Sequence, residues 1–228
     1  MKCDRETMLL YAVTDRAWTG KENLDEQVEK ALRGGVTCVQ LREKNLDEKS
    51  FLKEARRIRA LCGSYRVPFI VNDHVEIALA CEADGIHVGQ EDMAAKDVRR
   101  LMGEERILGV SVHTVEEAKK AVAEGADYLG VGAVFSTATK TNVSRMTMEI
   151  LREICSSVEV PVVAIGGIHQ DNIMELAGSG VDGVALVSAI FSARDIEGTC
   201  RRLRQLSEEM VKTTEFSGEA YVRKILRG

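Results

Sequence analysis

The chain has 228 residues, 45% of them hydrophobic and 29% charged, with a net charge of −5. This composition is ordinary for a soluble globular protein, and one α/β barrel accommodates a chain of this length. The acidic balance argues against non-specific nucleic-acid binding, which needs a basic face, and no apolar run approaches the ~20 residues that span a bilayer, so neither nucleic acid nor membrane is expected as a partner.

The first residues, MKCDRETMLLYAV, carry no signal-peptide core or cleavage site and run straight into a strand pattern. Cys3, Cys38, Cys62, Cys81, Cys155 and Cys200 are scattered without C-x-x-C spacing. They read as reduced thiols of a cytoplasmic protein, not as a disulfide framework or a zinc site.

Short β-rich runs then alternate with helical ones. Strand 1 is Leu9–Thr14, and a helix over Leu24–Leu32 stops at Gly34-Gly35. Strand 2, Cys38–Leu41, is followed by a helix over Asp47–Leu61. Strand 3 is Phe69–Val71, then a helix over Val75–Cys81, strand 4 at Ile86–Val88 and a helix over Ala94–Leu101. Strand 5 is Ile107–Val110. The next helix opens with Thr114 and Glu117 at capping-box spacing and stops near Gly125. Strand 6, Tyr128–Val131, leads into a long loop, Gly132–Met146. Helix Thr147–Cys155, strand 7 at Val162–Ile165, helix Asn172–Leu176, strand 8 at Val184–Val187 and a helix from Arg194 to Met210 complete the series.

Parallel strands need crossover helices, so eight of each predict a single (β/α)8 TIM barrel over residues 1–211, with a doubly wound open sheet as the rival. Repetition favours the barrel. Pro68 and Pro161 open strands 3 and 7, whereas Ala83-Asp84-Gly85, Ala126-Asp127-Tyr128 and Val181-Asp182-Gly183 lead into strands 4, 6 and 8. Gly35-Val36-Thr37 plays that part before strand 2. Asp84, Asp127 and Asp182 precede their strands, which assigns them a structural turn role on the N-terminal face. For the tail, 212–228, two readings stay open: docking through Phe216, Tyr221, Ile225 and Leu226 on the barrel or a neighbouring subunit, or disorder. A homo-oligomer is compatible with either.

The other face collects the chemistry. Gln40 lies in strand 2 and Arg42-Glu43-Lys44 follow it; Asn72-Asp73-His74 follow strand 3; Gly89-Gln90-Glu91-Asp92 follow strand 4. Neighbouring strands lie about 4.7–4.9 Å apart, so Asp73 and Asp92 are expected side by side. Two oxygen ligands with room for water suit Mg²⁺. Arg42 and Lys44 beside them make a clamp suited to a diphosphate; alone they read as a solvated charge run. Ser111 and His113 end strand 5.

Gly166-Gly167 and Val187-Ser188 follow strands 7 and 8, whose loops in many barrels bind a phosphate through backbone N–H groups. A plain tight turn is the alternative there. Thr137, Thr139 and Lys140 lie in the longest loop, placed to bridge the two anion sites under a closing lid, or else in a solvated loop. His87 reads as a satisfied strand side chain, and His74 as orienting the Asp73 loop. His113 and His169 lack metal-ligand partners at useful spacing. No Ser/His/Asp or Cys/His arrangement is legible.

The motifs QLREK at 40–44, ND at 72–73, HVGQED at 87–92, GVS at 109–111, T-x-TK at 137–140, GGI at 166–168 and VS at 187–188 together resemble the thiamine-phosphate synthase (thiamine-phosphate pyrophosphorylase) family, in family order over about 8–192. The resemblance implies a (β/α)8 transferase that joins a pyrimidine methyl diphosphate to a thiazole ethyl phosphate, releasing pyrophosphate. It implies that Gln40, Leu41, Arg42, Glu43, Lys44, Asn72, Ser111 and Lys140 bind the pyrimidine diphosphate, with Arg42, Lys44, Ser111 and Lys140 catalytic. Asp73 and Asp92 would hold one Mg²⁺ per subunit. Thr137, Ala138, Thr139, Gly167, Val187 and Ser188 would bind the thiazole phosphate. Family chemistry is dissociative: pyrophosphate leaves a stabilised pyrimidine methyl cation, which the thiazole nitrogen captures. Such a reaction needs charge neutralisation and exclusion of water, not a protein nucleophile.

Ser136 and Ala138 stand where the family often has proline, and Thr141–Met148 is unlike the usual sequence, so a more mobile lid is expected. Two other readings compete. A thiazole tautomerase of the same superfamily has no use for the metal acids, and the intact Arg42, Lys44, Asp73, Asp92 and Lys140 argue against a non-catalytic thiamine-phosphate binder.

Overall fold

Eight apolar runs form the strands β1 (Leu10–Val13), β2 (Cys38–Leu41), β3 (Phe69–Asn72), β4 (Gly85–Val88), β5 (Ile107–Val112), β6 (Tyr128–Gly132), β7 (Val162–Ile165) and β8 (Gly183–Leu186). Each pairs in parallel with the next, and β8 closes on β1 with Leu10 opposite Val184. The sheet is thus a closed barrel, not an open one. The computed structural model describes residues 3–20, 22–135 and 146–225, and side chains as far as Thr213.

Side chains alternate along each strand, as a period of two requires. Leu10, Ala12, Val39, Leu41 and Val71 face outward into the core shared with the helices. Tyr11, Val13, Cys38, Ile70, Ile107, Tyr128, Val163 and Ala185 fill the barrel interior.

The outer layer comprises α1 (Leu24–Arg33), α2 (Glu48–Tyr65), α3 (Val75–Ala80), α4 (Ala95–Met102), α5 (Val115–Ala123), α6 (Met148–Ser157), the short α7 (Ser188–Phe191) and α8 (Ile196–Ile225). Local chemistry fixes their starts. Asn23 and Glu26 form a reciprocal capping box at α1, and Asp47 caps α2 through the Ser50 N–H at 3.1 Å. At α5 only half of the expected box forms. Thr114 accepts from the Glu117 N–H at 3.1 Å, while the Glu117 carboxylate turns to the His113 N–H at 2.7 Å.

Two expectations are corrected. The segment before β8 forms one 3₁₀ turn, Ile173–Leu176, because Gly178 and Gly180, both at positive φ, leave it too short for an α-helix. The last helix does not end near Met210 but continues to Ile225, with no proline beyond Met210 to stop it.

The acids that precede even-numbered strands tie the N-terminal face together. The Phe69 N–H donates to Asp84 at 2.9 Å, the Leu108 N–H to Asp127 at 2.8 Å and the Val162 N–H to Asp182 at 2.9 Å. Thr37 does the same for the Leu10 N–H at 2.8 Å. Each residue leading into an even strand therefore satisfies an N–H of the odd strand before it, which explains the different lead-ins. Asp127 is also held by the buried Arg99 guanidinium at 2.5 Å.

Candidate active site

The strands deliver their C-terminal ends to one mouth. At the end of β3, Asp73 has φ of 63°, a left-handed conformation that aspartate tolerates better than most residues. Its N–H donates to the His87 carbonyl of β4 at 2.9 Å, and the His74 N–H to the Asn72 carbonyl at 2.8 Å. This tight turn aims Asp73 at the loop after β4. There the Asp92 carboxylate accepts the Gly89 N–H at 2.8 Å.

Burial, then the Asp92 charge and a side-chain hydrogen bond with Asp92, raise the Asp73 pKa above the ordinary carboxylate range; Lys44 and Asn72 act the other way. Two acids within hydrogen-bond reach in a half-buried place create an electrostatic demand for a cation. No group of three or more His, Cys, Asp and Glu able to hold a metal occurs among the described residues. A pair of carboxylates completed by water and substrate oxygens is nevertheless a donor set that fits Mg²⁺.

The QLREK stretch splits by strand alternation. Gln40 is buried inside the barrel, Arg42 is half-buried at the mouth and Lys44 is exposed there. The Arg42 N–H donates to Thr14 Oγ1 at 3.0 Å, and its guanidinium stands 3.6 Å from Asp15. The side chains of Leu41 and Glu43 point the other way, away from the mouth. Leu41 is fully buried against the helices. Glu43 is buried and accepts from Arg16 Nε at 3.1 and 3.2 Å, while Arg16 also bonds Glu54 at 2.6 Å. Burial raises the Glu43 pKa despite Arg16. Glu43 therefore fastens the β2 loop to the turn after β1 and to α2.

Ser111 lies within β5. Its Oγ is 2.8 Å from His87 Nε2, and its carbonyl accepts from Gln90 Nε2 at 2.7 Å. Behind it runs a buried line that the sequence reading missed. His87 Nδ1 is 2.9 Å from the Tyr128 hydroxyl, which is 2.8 Å from the Tyr11 hydroxyl, to which Gln40 Nε2 donates at 2.8 Å. Burial pushes the His87 pKa down to about 4 and raises both tyrosines, so all are neutral. Strand parity, which places Tyr11 and Gln40 inward, was the available signal.

Across the mouth, four strands away, Gly166 and Gly167 follow β7 at φ of 100° and 68°, a path that requires glycine. The Gly167 carbonyl accepts from Asn172 Nδ2 at 2.9 Å. Val187 packs on the interior cluster, and Ser188 opens α7. Asn72 is buried at the end of β3 beside Asp73. His113 and His169 are exposed beside Glu117 and Asp171, and His74 packs edge-on against Phe51 at 5.2 Å. Thr137, Ala138, Thr139 and Lys140, with the proposed lid, lie outside the described residues.

The family model described as thiamine monophosphate synthase matches residues 10–190. A thiamine-phosphate synthase of Clostridium tetani is 46% identical over 194 residues, 85% of this chain and 93% of the relative. One of Methanobrevibacter smithii is 48% identical over 186 residues, 82% of this chain and 88% of the relative. Among solved structures, the thiamine phosphate pyrophosphorylase of Pyrococcus furiosus superposes with a TM-score of 0.83 at 40% identity, covering 90% of this chain and 98% of that one. From its motifs, its barrel and these relatives, the chain belongs to the thiamine monophosphate synthase family.

Proposed function

We propose that this protein is a thiamine-phosphate synthase. It condenses 4-amino-2-methyl-5-(diphosphooxymethyl)pyrimidine with a thiazole phosphate, giving thiamine monophosphate and pyrophosphate. The observation that carries this reading is a mouth with two unlike halves. On one side the paired Asp73 and Asp92 stand near Lys44, with Arg42 on the neighbouring strand end; on the other are the glycine turn after β7 and the Val187-Ser188 turn. A tautomerase needs only the second half, so the paired acids favour the synthase.

In the reaction the methylene carbon–oxygen bond breaks, pyrophosphate takes the electron pair, and the thiazole nitrogen forms the new bond to carbon. Asp73 and Asp92 would hold Mg²⁺, which when bound supplies positive charge to the departing diphosphate. Arg42 and Lys44 bind the same anion, and Asp15 and Thr14 set the direction of Arg42. Lys140 and Thr137–Thr139 keep the roles that the family resemblance gives them. The thiazole phosphate is met by Gly167, Val187 and the first turn of α7 at Ser188, whose amides a helix leaves without carbonyl partners.

Free cysteines fit a reducing, cytoplasmic setting, and no helix among the described residues is long and apolar enough to cross a membrane. The test is pyrophosphate release by the purified chain with both substrates, with and without Mg²⁺. Release should require both substrates and the metal, and Asp92→Asn should abolish it. Metal-independent conversion of a single thiazole phosphate isomer would overturn the assignment in favour of the tautomerase.

A further inference from the structure

Five side chains from five strands form the buried line Gln40–Tyr11–Tyr128–His87–Ser111, each link 2.8 or 2.9 Å long. Its protons can be counted. The Gln40 amide nitrogen only donates, so the Tyr11 oxygen accepts. If Tyr11 donates to Tyr128, then Tyr128 donates to His87 Nδ1. A neutral imidazole has one proton, which then lies on Nε2 and is donated to Ser111 Oγ. The serine hydrogen is left free to point outward. If instead Tyr128 donated to Tyr11, the Tyr11 hydrogen would be left against the Cys38 thiol, a poor acceptor.

The space for this line is built into the sheet. Gly109 of β5 lies in register between His87 of β4 and Tyr128 of β6. A Cβ at Gly109 would stand 2.1 Å from Tyr128 Cζ, so only glycine lets that ring cross β5 to reach His87. Gly130, opposite Ser111, makes similar room: a Cβ there would meet His87 Cε1 at 3.1 Å.

We infer that these groups form a one-way hydrogen-bond relay that presents the Ser111 hydroxyl to the barrel mouth as a donor, making Tyr128 and His87 positioning residues for the departing diphosphate. The part concerning the diphosphate rests on the synthase reading; the direction of the relay does not. A Gln40 amide turned end for end would reverse every link and make Ser111 donate to His87, so the histidine tautomer reports the direction.

The test uses the full chain labelled with ¹⁵N-histidine. Long-range ¹H–¹⁵N correlation at pH 7 should show His87 protonated on Nε2 and bare at Nδ1, with His87→Gln identifying its signals. Tyr128→Phe should give a mixture of tautomers. Tyr11→Phe is the second variant, with the same expectation, should the first not fold. In steady-state pyrophosphate release, Tyr128→Phe should lower kcat by about tenfold with little change in KM for the pyrimidine diphosphate. That is less than the 10²–10³ of deleting a donor outright, because the serine remains. Adding Tyr128→Phe to Ser111→Ala should cost nothing more, since the relay acts only through the serine.

An Nδ1-protonated His87 in the unmodified chain overturns the relay whatever the activity. An unchanged kcat in Tyr128→Phe, or additive losses in the double variant, overturns the positioning role. An unmodified chain that releases no pyrophosphate sinks the synthase reading and with it the diphosphate role, while the tautomer still decides the direction.

Discussion

Gly109→Ala is the sharpest test of the barrel interior. The new methyl would lie 2.1, 2.3 and 2.4 Å from Cζ, the hydroxyl oxygen and Cε1 of Tyr128. Non-bonded carbons prefer about 3.5–4.0 Å, so the ring must retreat by over an ångström. The Tyr128 hydroxyl makes bonds of 2.8 Å to Tyr11 and 2.9 Å to His87, and a shift of that size breaks both. Overpacking costs about 1–3 kcal/mol and each lost bond about 0.5–1.5 kcal/mol, so the loss should be about 4 kcal/mol. That is a large part of a typical stability of about 5–15 kcal/mol. The assay is urea denaturation, read as a lower midpoint at unchanged slope. Gly63→Ala is the control. It sits exposed within α2 with nothing within 4 Å of its Cβ, and should gain about 0.5–1 kcal/mol from helix propensity. A loss at Gly109 below about 1 kcal/mol, set against the overpacking range, would mean that the ring does not lie across β5, and the account of the interior would fail.

Other outcomes follow from charge. His87 is pushed down from 6.5 to about 4, so on acidification the unfolded chain takes up this proton first. Stability should therefore fall between those two pH values, by up to about 3 kcal/mol, and His87→Gln should flatten the midpoint-versus-pH curve in that window; equal slopes would refute it. Asp73 has the opposite sign. Its raised pKa means that the folded carboxyl keeps its proton to higher pH, so ionising it costs stability as pH rises above 3.8. In metal-free buffer Asp73→Asn should be more stable than the parent at pH 7, with the gap closing as pH falls toward 4; a constant gap in denaturation midpoints would rule out the repulsion. Glu43→Ala should cost about 1–2 kcal/mol by the same assay, less than the 3–5 of a fully buried pair because the Arg16 side chain is 41% exposed. No measurable loss would mean that the Arg16–Glu43 pair does not fasten the β2 loop.

What the sequence disclosed follows the range of each interaction. The limits of β2 and β7 coincide with those read from the chain, because a glycine pair precedes one and a proline the other. The Asp84, Asp127 and Asp182 repeat was visible, but its N–H partners depend on register between strands, which no local pattern carries. QLREK is contiguous in sequence, yet a period of two separates the side chains of Leu41 and Glu43 from those of Gln40, Arg42 and Lys44. For the relay, strand parity shows which side chains face inward but not which of them meet. Tyr11 and Tyr128 are 117 positions apart, and their contact exists only once the barrel closes.

The two faces of the barrel use the same side chain in opposite ways, and the difference locates the site. Asp84, Asp127 and Asp182 each accept a strand N–H at 2.8–2.9 Å, so their charge is met by the fold itself. Asp73 is met mainly by its own burial and by another carboxylate, while Lys44 and Asn72 act the other way. Folding alone would not select such an arrangement, because neutral packing or a backbone donor would be more stable. Its left-handed φ of 63° adds a local backbone cost at the same residue. Electrostatic repulsion and backbone strain thus coincide at the end of β3, beside Asp92 of the next loop and across from the glycine path after β7. A bound cation and the anion it carries relieve the first, and the turn holds the carboxylate where they bind.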